Sequence, residues 1–350
     1  MDDAAYAGTV PHEPVDVVAL GESMVTFLPG APGRLADVPS FDRAIGGAES
    51  NVACVLAAAG HSARWVSRVG ADGFGQHLVE RIAGYGVDVR AVHRDPARPT
   101  GIYFRTAGDR GTGAHEVAYY RTGSAASAMS VGNVDLAAVR AGRVLHLSGI
   151  TAALSPECRE LMDALTAPRA GRPLLSFDVN HRPGLWRTAD GPLVLLDLAR
   201  RADVVFVGED EAAQAWGIEG GPEAVREALP EPDVLVVKRG ARGATAFASR
   251  RPPVLEPALR VDVVATTGAG DAFAAGFLSA TLRGLPLPAR LRYGHLFAAA
   301  ALTTAGDLAP PPARDHADRL SDLDGAAWGR LRLGPGWTQA DAAEQEANTP

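Results

Sequence analysis

The stretch TTGAGDAFAAGF, residues 266–277, joins two glycines and an aspartate to the start of an apolar, helix-like pattern. Gly268 and Gly270 leave the backbone N–H groups of this turn unobstructed, and the following helix would direct the positive end of its dipole toward them. These features predict an anion site. The stretch is not a Walker A loop, because no Gly-Lys-Ser/Thr follows, and it lacks the third glycine of a dinucleotide fingerprint.

Asp271, at the start of the predicted helix, has two interpretations. A carboxylate beside bound phosphate could accept the proton of an attacking hydroxyl group. An aspartate that only caps the helix would explain the same residue equally well. The stretch alone does not decide between them.

A second motif, GGAESNVA, occupies residues 46–53. Gly46 and Gly47 permit close approach of the backbone, and Asn51 offers both a donor and an acceptor to sugar hydroxyl groups. The alternative is an ordinary helix start capped by Ser50.

Two weaker motifs follow predicted strands. KRGARG, residues 238–243, contains a glycine turn that could lie against a nucleotide. GEDEAA, residues 208–213, places three carboxylates at a strand end, where they could hold water around Mg²⁺. Each signal is weak alone, since a run of charges is usually a solvated surface.

The elements around these motifs alternate between strands and helices. VDVVAL, RWVSRV, RVLHLSG, PLLSFDVN, DVVFVGE and DVLVVKRG have strand patterns, with helical stretches between several of them. This alternation predicts an α/β fold with a mostly parallel sheet, helices on both faces and ligands at the carboxyl ends of the strands. Segments 25–43 and 90–127 break the rhythm and predict a small antiparallel lid, in which GIYFRTAG and HEVAYYRTG are strands joined by GDRGTG.

Composition limits the possible functions. The chain has 350 residues and a net charge of −7, which argues against a general nucleic-acid binder. Two cysteines cannot form a disulfide framework. Without a cationic signal region or a long apolar run, we expect a cytoplasmic protein that does not span a membrane. We expect one domain over residues 15–320, with flexible or peripheral tails at 1–14 and 321–350.

Together, GGAESNVA and TTGAGDAFAAGF resemble the two signatures of the ribokinase (PfkB) carbohydrate kinases, in an order and spacing that cover roughly residues 15–310. The resemblance implies transfer of the γ-phosphoryl group of ATP to a sugar hydroxyl. It also implies a ribokinase-like three-layer α/β/α fold with a β lid, and a homo-oligomer formed through that lid. The further blocks YYRTGSAASA, LHLSGITAALSP, FDVNHRPGLW and VVKRGARG are similar to 2-keto-3-deoxygluconate kinases.

The resemblance also implies roles for individual residues. Asp271 would be the catalytic base toward the C6 hydroxyl, and the backbone amides of Gly268, Ala269 and Gly270 would bind the transferring phosphoryl group. Substrate contacts would come from Gly47, Ala48, Asn51, Tyr103, Tyr119, Arg121, Arg182 and Asp271. ATP contacts would come from Asn180, Lys238, Gly240, Gly243, Gly268, Gly270 and His295. Glu211 would influence Mg²⁺ indirectly.

The proposed substrate is a sugar acid, whose carboxylate needs a partner. Arg121 and Arg182 suit it, because guanidinium binds carboxylate through paired hydrogen bonds. Surface ion pairs are the alternative role for both arginines. Two other functions stay open: a fructokinase-like or other neutral-sugar kinase, and a non-catalytic sugar- or nucleotide-binding regulator on the same fold.

Three positions depart from the family pattern. Ala265 replaces an aspartate that helps to hold a monovalent cation, so we expect no activation by such an ion through the usual site. Gly208 replaces the asparagine of an Asn-x-x-Glu motif. His295 stands where a nucleotide-side asparagine is frequent, so we expect different contacts near adenine.

Overall fold

The computed structural model describes residues 12–31, 33–106, 116–186, 188–249 and 251–339. The main sheet contains β1 (Val15–Leu20), β4 (Ala63–Gly70), β5 (Val92–Asp95), β8 (Gly142–Ser148), β9 (Leu174–Asp178), β10 (Val204–Gly208), β11 (Val234–Lys238), β12 (Ala244–Ala248) and β13 (Val254–Glu256). A second sheet contains β2 (Met24–Pro29), β3 (Phe41–Gly46), β6 (Ile102–Arg105) and β7 (Val117–Tyr120). Two short strands, β14 (Arg260–Val261) and β15 (Arg332–Leu333), form a separate pair.

The helices are α1 (Ala48–Ala58), α2 (Gly73–Ala83), α3 (Leu136–Arg140), α4 (Gly149–Ala153), α5 (Pro156–Thr166), α6 (Gly191–Arg200), α7 (Glu209–Trp216), α8 (Pro222–Ala228), α9 (Ala269–Leu282), α10 (Leu287–Leu302), α11 (Arg314–Ser321) and α12 (Gly325–Arg330). Within the described ranges, no helix is both long enough and apolar enough to cross a membrane.

The main sheet is mostly parallel, as predicted. Its strand order is β13-β12-β11-β10-β9-β8-β1-β4-β5. Strand β12 runs antiparallel to both of its neighbours, and the other neighbouring pairs are parallel. The carboxyl ends of the parallel strands therefore share one edge of the sheet.

Alternating side chains of the main sheet pack into a helix layer on each face. On β10, Phe206 joins the core cluster that includes α1, α9 and α10, whereas Val205 and Val207 join the cluster that includes α5 and α6. This two-sided burial accounts for the nearly continuous apolar run VVFV in β10. The predicted three-layer α/β/α architecture is confirmed.

The second sheet is the predicted lid, with the order β3-β2-β6-β7. Its two outer pairings are antiparallel, and the central β2–β6 pairing is parallel. Strand β5 lies inside the predicted lid segment 90–127 but extends the main sheet instead. The predicted GDRGTG connection between β6 and β7, at residues 108–113, lies outside the described residues.

Part of the segment predicted as a flexible or peripheral tail packs against the core. Trp328 of α12 is 1% exposed, and its indole donates a hydrogen bond to the carbonyl of Pro257. Trp337 is also buried, and β15 pairs with β14. Within residues 325–337 the apolar side chains join the core cluster that includes α10, so this part of the predicted tail is not flexible. Residues 1–11 and 340–350 of the predicted tails lie outside the described residues.

Candidate active site

The turn before α9 has a conformation that requires glycine. Gly268 directly precedes the helix and has a φ of +78°. A Cβ atom at this position would collide with the backbone carbonyl of Asp307. The turn therefore fits closely against the chain at 307. The Ala269 N–H is directed to the Thr266 carbonyl at 3.4 Å, and the next residue of α9, Gly270, is exposed.

Asp271 does not cap its own helix. Its Oδ2 atom accepts a hydrogen bond of 2.8 Å from Asn51 Nδ2, so the carboxylate points toward the start of α1. Burial raises the pKa of Asp271 to about 7, with a further contribution from the negative charge of Asp178, while Asn51 and Lys238 act in the opposite direction. A carboxylate with a pKa near neutrality is poised to accept a proton.

A partly buried ion pair lies beside this carboxylate. Lys238 Nζ is 3.2 Å and 3.1 Å from the two carboxylate oxygens of Asp178, at the carboxyl ends of β11 and β9. The same Nζ atom is 3.8 Å from the place where a Cβ of Gly270 would lie. Burial acts to lower the pKa of Lys238, but the charges of Asp178 and Glu211 outweigh it, and the pKa is raised. The lysine is thus a cation next to the predicted anion site.

The turns predicted to lie along ATP also have unusual backbones. Gly240 and Gly243 have φ values of +55° and +109°, and a Cβ at Gly243 would collide with the carbonyl of Glu256. Asn180 has a φ of +41°, the one positive value among the described residues other than glycine. Its buried Oδ1 atom has no hydrogen-bond partner among the described residues, which is unusual for a buried polar atom and fits a ligand-binding role.

His295, predicted on the adenine side, lies in the interior of α10. Its Nε2 atom is 3.0 Å from the carbonyl oxygen of Glu256, the same carbonyl that faces Gly243. Its ring packs edge-to-face against Phe273, and burial lowers its pKa to about 4. The neutral histidine therefore contacts the KRGARG turn indirectly, through the Glu256 carbonyl that packs against Gly243. A contact between His295 and a nucleotide stays a prediction.

On the lid side, Tyr103 of β6 reaches over the start of α1. Its hydroxyl donates to Asp307 Oδ2 at 2.6 Å, and Arg105 Nη2 donates to Asp307 Oδ1 at 2.5 Å. A Cβ at Gly46 would lie too close to both the tyrosine hydroxyl and this carboxylate. The ring of Tyr119, directly opposite on β7, is 5.4 Å from that of Tyr103.

The two arginines proposed for the substrate carboxylate have different surroundings. Arg121 is 9% exposed and forms an ion pair with the fully buried Glu22. Arg182 is 54% exposed, donates to the carbonyl of His181 at 3.0 Å, and lies 3.7 Å from Glu211. Arg121 therefore lies beside the lid, whereas Arg182 lies near Glu211, and its contact with the substrate stays a prediction.

The Glu211 carboxylate forms a hydrogen bond at the start of its own helix, α7. Its Oε2 atom accepts a hydrogen bond of 2.7 Å from the backbone N–H of Gly208, the residue that replaces the family's asparagine. The carboxylate thereby stabilises the start of α7. Within the described ranges, no group of three or more His, Cys, Asp or Glu side chains could hold a metal ion by itself.

The start of α1 shows the predicted close approach of the backbone and not the alternative, a cap by Ser50. A Cβ at Gly47 would collide with the backbone of residues 22 and 23. Ser50 Oγ lies within hydrogen-bond distance of Ser23 Oγ and the Gly47 carbonyl and does not cap the helix, so the alternative of a helix capped by Ser50 is wrong. The first turn of α1, from Ala48 to Asn51, consequently lies against the end of β1.

Sequence reasoning missed four acidic residues of the site: Glu22, Glu49, Asp178 and Asp307. Glu49 is completely buried and accepts hydrogen bonds from Ser148 at 2.7 Å and Thr151 at 2.8 Å. Glu22 and Asp178 stand at the carboxyl ends of predicted strands, which was a usable signal. Asp307 lies in an irregular segment, where no pattern indicates a site.

Sequence comparison identifies the family. The model for pfkB family carbohydrate kinases matches residues 15–314. The chain is 34% identical to a 2-dehydro-3-deoxygluconokinase from Bacillus subtilis, over 86% of this chain and 94% of that one. It is 32% identical to a probable chloroplastic fructokinase-6 from Arabidopsis thaliana, over 81% of this chain and 75% of that one.

Structural comparison agrees. An uncharacterised sugar kinase from Pyrococcus horikoshii, solved in complex with ATP, superposes with a TM-score of 0.74 at 25% identity and covers 90% of this chain and 100% of that one. The base-like Asp271, the neighbouring Lys238 and the glycine turn fit a phosphoryl-transfer site. The chain belongs to the pfkB family of carbohydrate kinases and is an ATP-dependent sugar kinase.

Proposed function

We propose that the protein phosphorylates 2-keto-3-deoxygluconate to 2-keto-3-deoxy-6-phosphogluconate. The observation that carries the proposal is the buried guanidinium of Arg121, which lies at the lid side of the site, 5.8 Å from the ring centroid of Tyr119. A neutral sugar gives little reason to bury a cation there, whereas a sugar acid brings a carboxylate for it. The identity to a 2-dehydro-3-deoxygluconokinase supports the same substrate.

In the proposed reaction, the C6 hydroxyl oxygen attacks the γ-phosphorus of ATP as the bond to the β,γ-bridging oxygen breaks and ADP leaves. Asp271 accepts the hydroxyl proton, and its pKa of about 7 keeps a large fraction of it ionised at neutral pH. The amides of Gly268, Ala269 and Gly270 and the ammonium group of Lys238 balance the charge on the transferring group. Substrate contacts come from Gly47, Ala48, Asn51, Tyr103, Tyr119, Arg121 and Arg182.

ATP is proposed to lie along Asn180, Lys238, Gly240, Gly243, Gly268, Gly270 and His295. The unpartnered Oδ1 atom of Asn180 and the glycine turns, which offer backbone without side chains, fit such a ligand. Mg²⁺ would be held mainly by the phosphates and water, near Glu211, since one or two carboxylates suffice in such sites. When bound, it neutralises phosphate charge.

A neutral-sugar kinase is the second candidate. The ion pair between Arg121 and Glu22 favours it, because a guanidinium that already faces a carboxylate has less charge to offer to a substrate. The identity to a probable fructokinase points the same way.

ADP release from a panel of 2-keto-3-deoxygluconate, 2-keto-3-deoxygalactonate, fructose and ribose tests the proposal. We expect the highest kcat/KM with a 2-keto-3-deoxy acid. Replacing Arg121 or Arg182 by leucine should raise the KM for the acid at least tenfold, the loss expected for a charge-assisted hydrogen bond. Preference for fructose, or unchanged KM values in both variants, would overturn the proposal.

We also propose that the lid pairs with a second copy of the chain. Tyr120 is 64% exposed and, because neighbouring residues of a strand point to opposite faces, lies on the lid face opposite to Tyr119. Sedimentation analysis of the wild type and of Tyr120→Asp tests this. A dimer that Tyr120→Asp dissociates is expected, and a monomeric wild type would overturn the proposal.

A further inference from the structure

The carboxylate that pairs with Arg121 lies in the interior of the site. Glu22 follows the end of β1, and its side chain has no exposed surface. A carboxylate cannot be buried in this way without charged or hydrogen-bonding partners. Its partners therefore show what the residue does.

Both oxygens of Glu22 bind the turn that leaves the lid. Oε2 forms the ion pair with Arg121 Nη2, and Oε1 accepts a hydrogen bond of 2.5 Å from Ser124 Oγ. The backbone N–H of Ser124 donates to the Arg121 carbonyl at 3.0 Å, which closes the turn. Gly101 leaves the room for this arrangement, since a Cβ there would lie 2.8 Å from Glu22 Oε1.

The nitrogens of the Arg121 guanidinium have different surroundings. Its Nη2 atom forms the ion pair with Glu22 Oε2, an oxygen without a hydrogen bond, and its buried Nε atom also has no hydrogen-bond partner among the described residues. Because the guanidinium is a rigid plane, fixing one of its nitrogens limits the directions in which the other donors can point. The ion pair is also neutral overall, so Arg121 can select an anion only through directed hydrogen bonds and not through a general positive field.

We infer that Glu22 is a positioning residue that orients Arg121 for the substrate carboxylate and thereby sets the preference for sugar acids over neutral sugars. The inference rests on the proposed function. It separates two properties of Glu22: the position of its two side-chain oxygens, one against Arg121 Nη2 and the other against Ser124 Oγ, and its negative charge.

Two substitutions distinguish these properties. Glu22→Ala removes the acceptors and should raise the KM for 2-keto-3-deoxygluconate at least about tenfold, with kcat and the KM for ATP changed less than about threefold. Glu22→Gln keeps an oxygen for Arg121, and its amide group can donate to the Ser124 hydroxyl, so the KM for the acid should stay within about threefold of the wild type. A merely structural role would alter the KM for ATP and the KM for the acid together.

A double substitution tests whether Glu22 acts through Arg121. Glu22→Ala combined with Arg121→Ala should give the same KM for the acid as Arg121→Ala alone. Additive effects, or a Glu22→Ala enzyme with the wild-type KM, would overturn the inference while leaving the proposed function intact. A wild type that uses fructose and rejects the acid would overturn the proposed function and the specificity role of Glu22 with it.

Discussion

Asn51 Nδ2 donates a hydrogen bond of 2.8 Å to Asp271 Oδ2 and so joins the first turn of α1 to the first turn of α9. The two residues belong to separate sequence motifs, GGAESNVA and TTGAGDAFAAGF. An amide that donates to a carboxylate stabilises its ionised form and opposes the effect of burial. Asn51 therefore acts on the proposed base itself, besides its predicted contact with the sugar.

Removal of this hydrogen bond should change the pH dependence of the enzyme. In Asn51→Ala the pKa of Asp271 should rise above its value of about 7, because a contribution that lowers it is lost. The base acts in its ionised form, so the acid limb of kcat/KM should move to higher pH, and the loss of activity should be larger at pH 6 than at pH 9. A pH profile of kcat/KM, which reports the free enzyme, measures this.

Ser50→Ala is the matched control, since Ser50 lies in the same turn and its hydroxyl contacts Ser23 and Gly47 rather than Asp271. Its acid limb should coincide with that of the wild type. An Asn51→Ala enzyme whose activity falls equally at every pH would show that Asn51 contacts only the sugar.

Substitution of the proposed base should stabilise the protein while inactivating it. The pKa of Asp271 is about 7 in the folded protein, against an ordinary value of 3.8, so ionisation costs the folded state stability as pH rises. Asp271→Asn avoids that cost. Its free energy of unfolding should exceed that of the wild type by up to about 4 kcal/mol above pH 7, with a smaller difference at pH 5.5.

Urea unfolding of both proteins at pH 5.5 and pH 8.5 provides the measurement, together with turnover, which should fall by orders of magnitude. An equal stability difference at the two pH values would mean that Asp271 ionises normally.

The sequence was most informative where local pattern and structure coincide. The predicted strand VDVVAL is β1, and GAGD opens a helix at a glycine that no other residue could replace without collision. Such features depend on side-chain periodicity and on backbone conformation, both of which are local properties.

Contacts between distant segments could not be predicted in this way. The Tyr103 hydroxyl donates a hydrogen bond to Asp307, which lies 204 positions later in the chain. The sequence around one residue gives no sign that the other lies beside it. Glu22 follows a strand, but its pairing with Arg121 depends on where the lid lies. Trp328 lies in a polar C-terminal segment, and its burial depends on contacts with α10 and with the carbonyl of Pro257.

Ala265 allows a test with monovalent cations. Its side chain has no oxygen to coordinate an ion, and its backbone N–H is directed to the Leu302 carbonyl at 3.3 Å. We expect turnover at constant ionic strength to agree within about twofold in K⁺, Na⁺ or tetramethylammonium, because K⁺ would need a set of oxygen ligands. Ala265→Asp should make turnover rise with K⁺. A strong stimulation of the wild type by K⁺ would contradict the expectation.

Substitution of Gly268 should lower activity by more than backbone strain alone would, because the new side chain would also displace the turn. Gly268→Ala places a Cβ at a φ of +78° and against the carbonyl of Asp307, so the turn must move. We expect destabilisation of at least about 1–2 kcal/mol, from the left-handed conformation alone, and at least a hundredfold loss of turnover, since the amides predicted to hold the phosphoryl group shift with the turn.

Gly284→Ala is the matched control for this substitution. Gly284 has a φ of +72°, close to that of Gly268, but a Cβ there would meet no other atom within 4 Å. It follows the far end of α9, so its strain should lower the free energy of unfolding by about 1 kcal/mol without changing turnover. Thermal unfolding and steady-state rates of both variants separate the two effects. If Gly268→Ala kept wild-type turnover, the amides of residues 268–270 could not be the phosphoryl-binding site, because their position would then be irrelevant to the reaction.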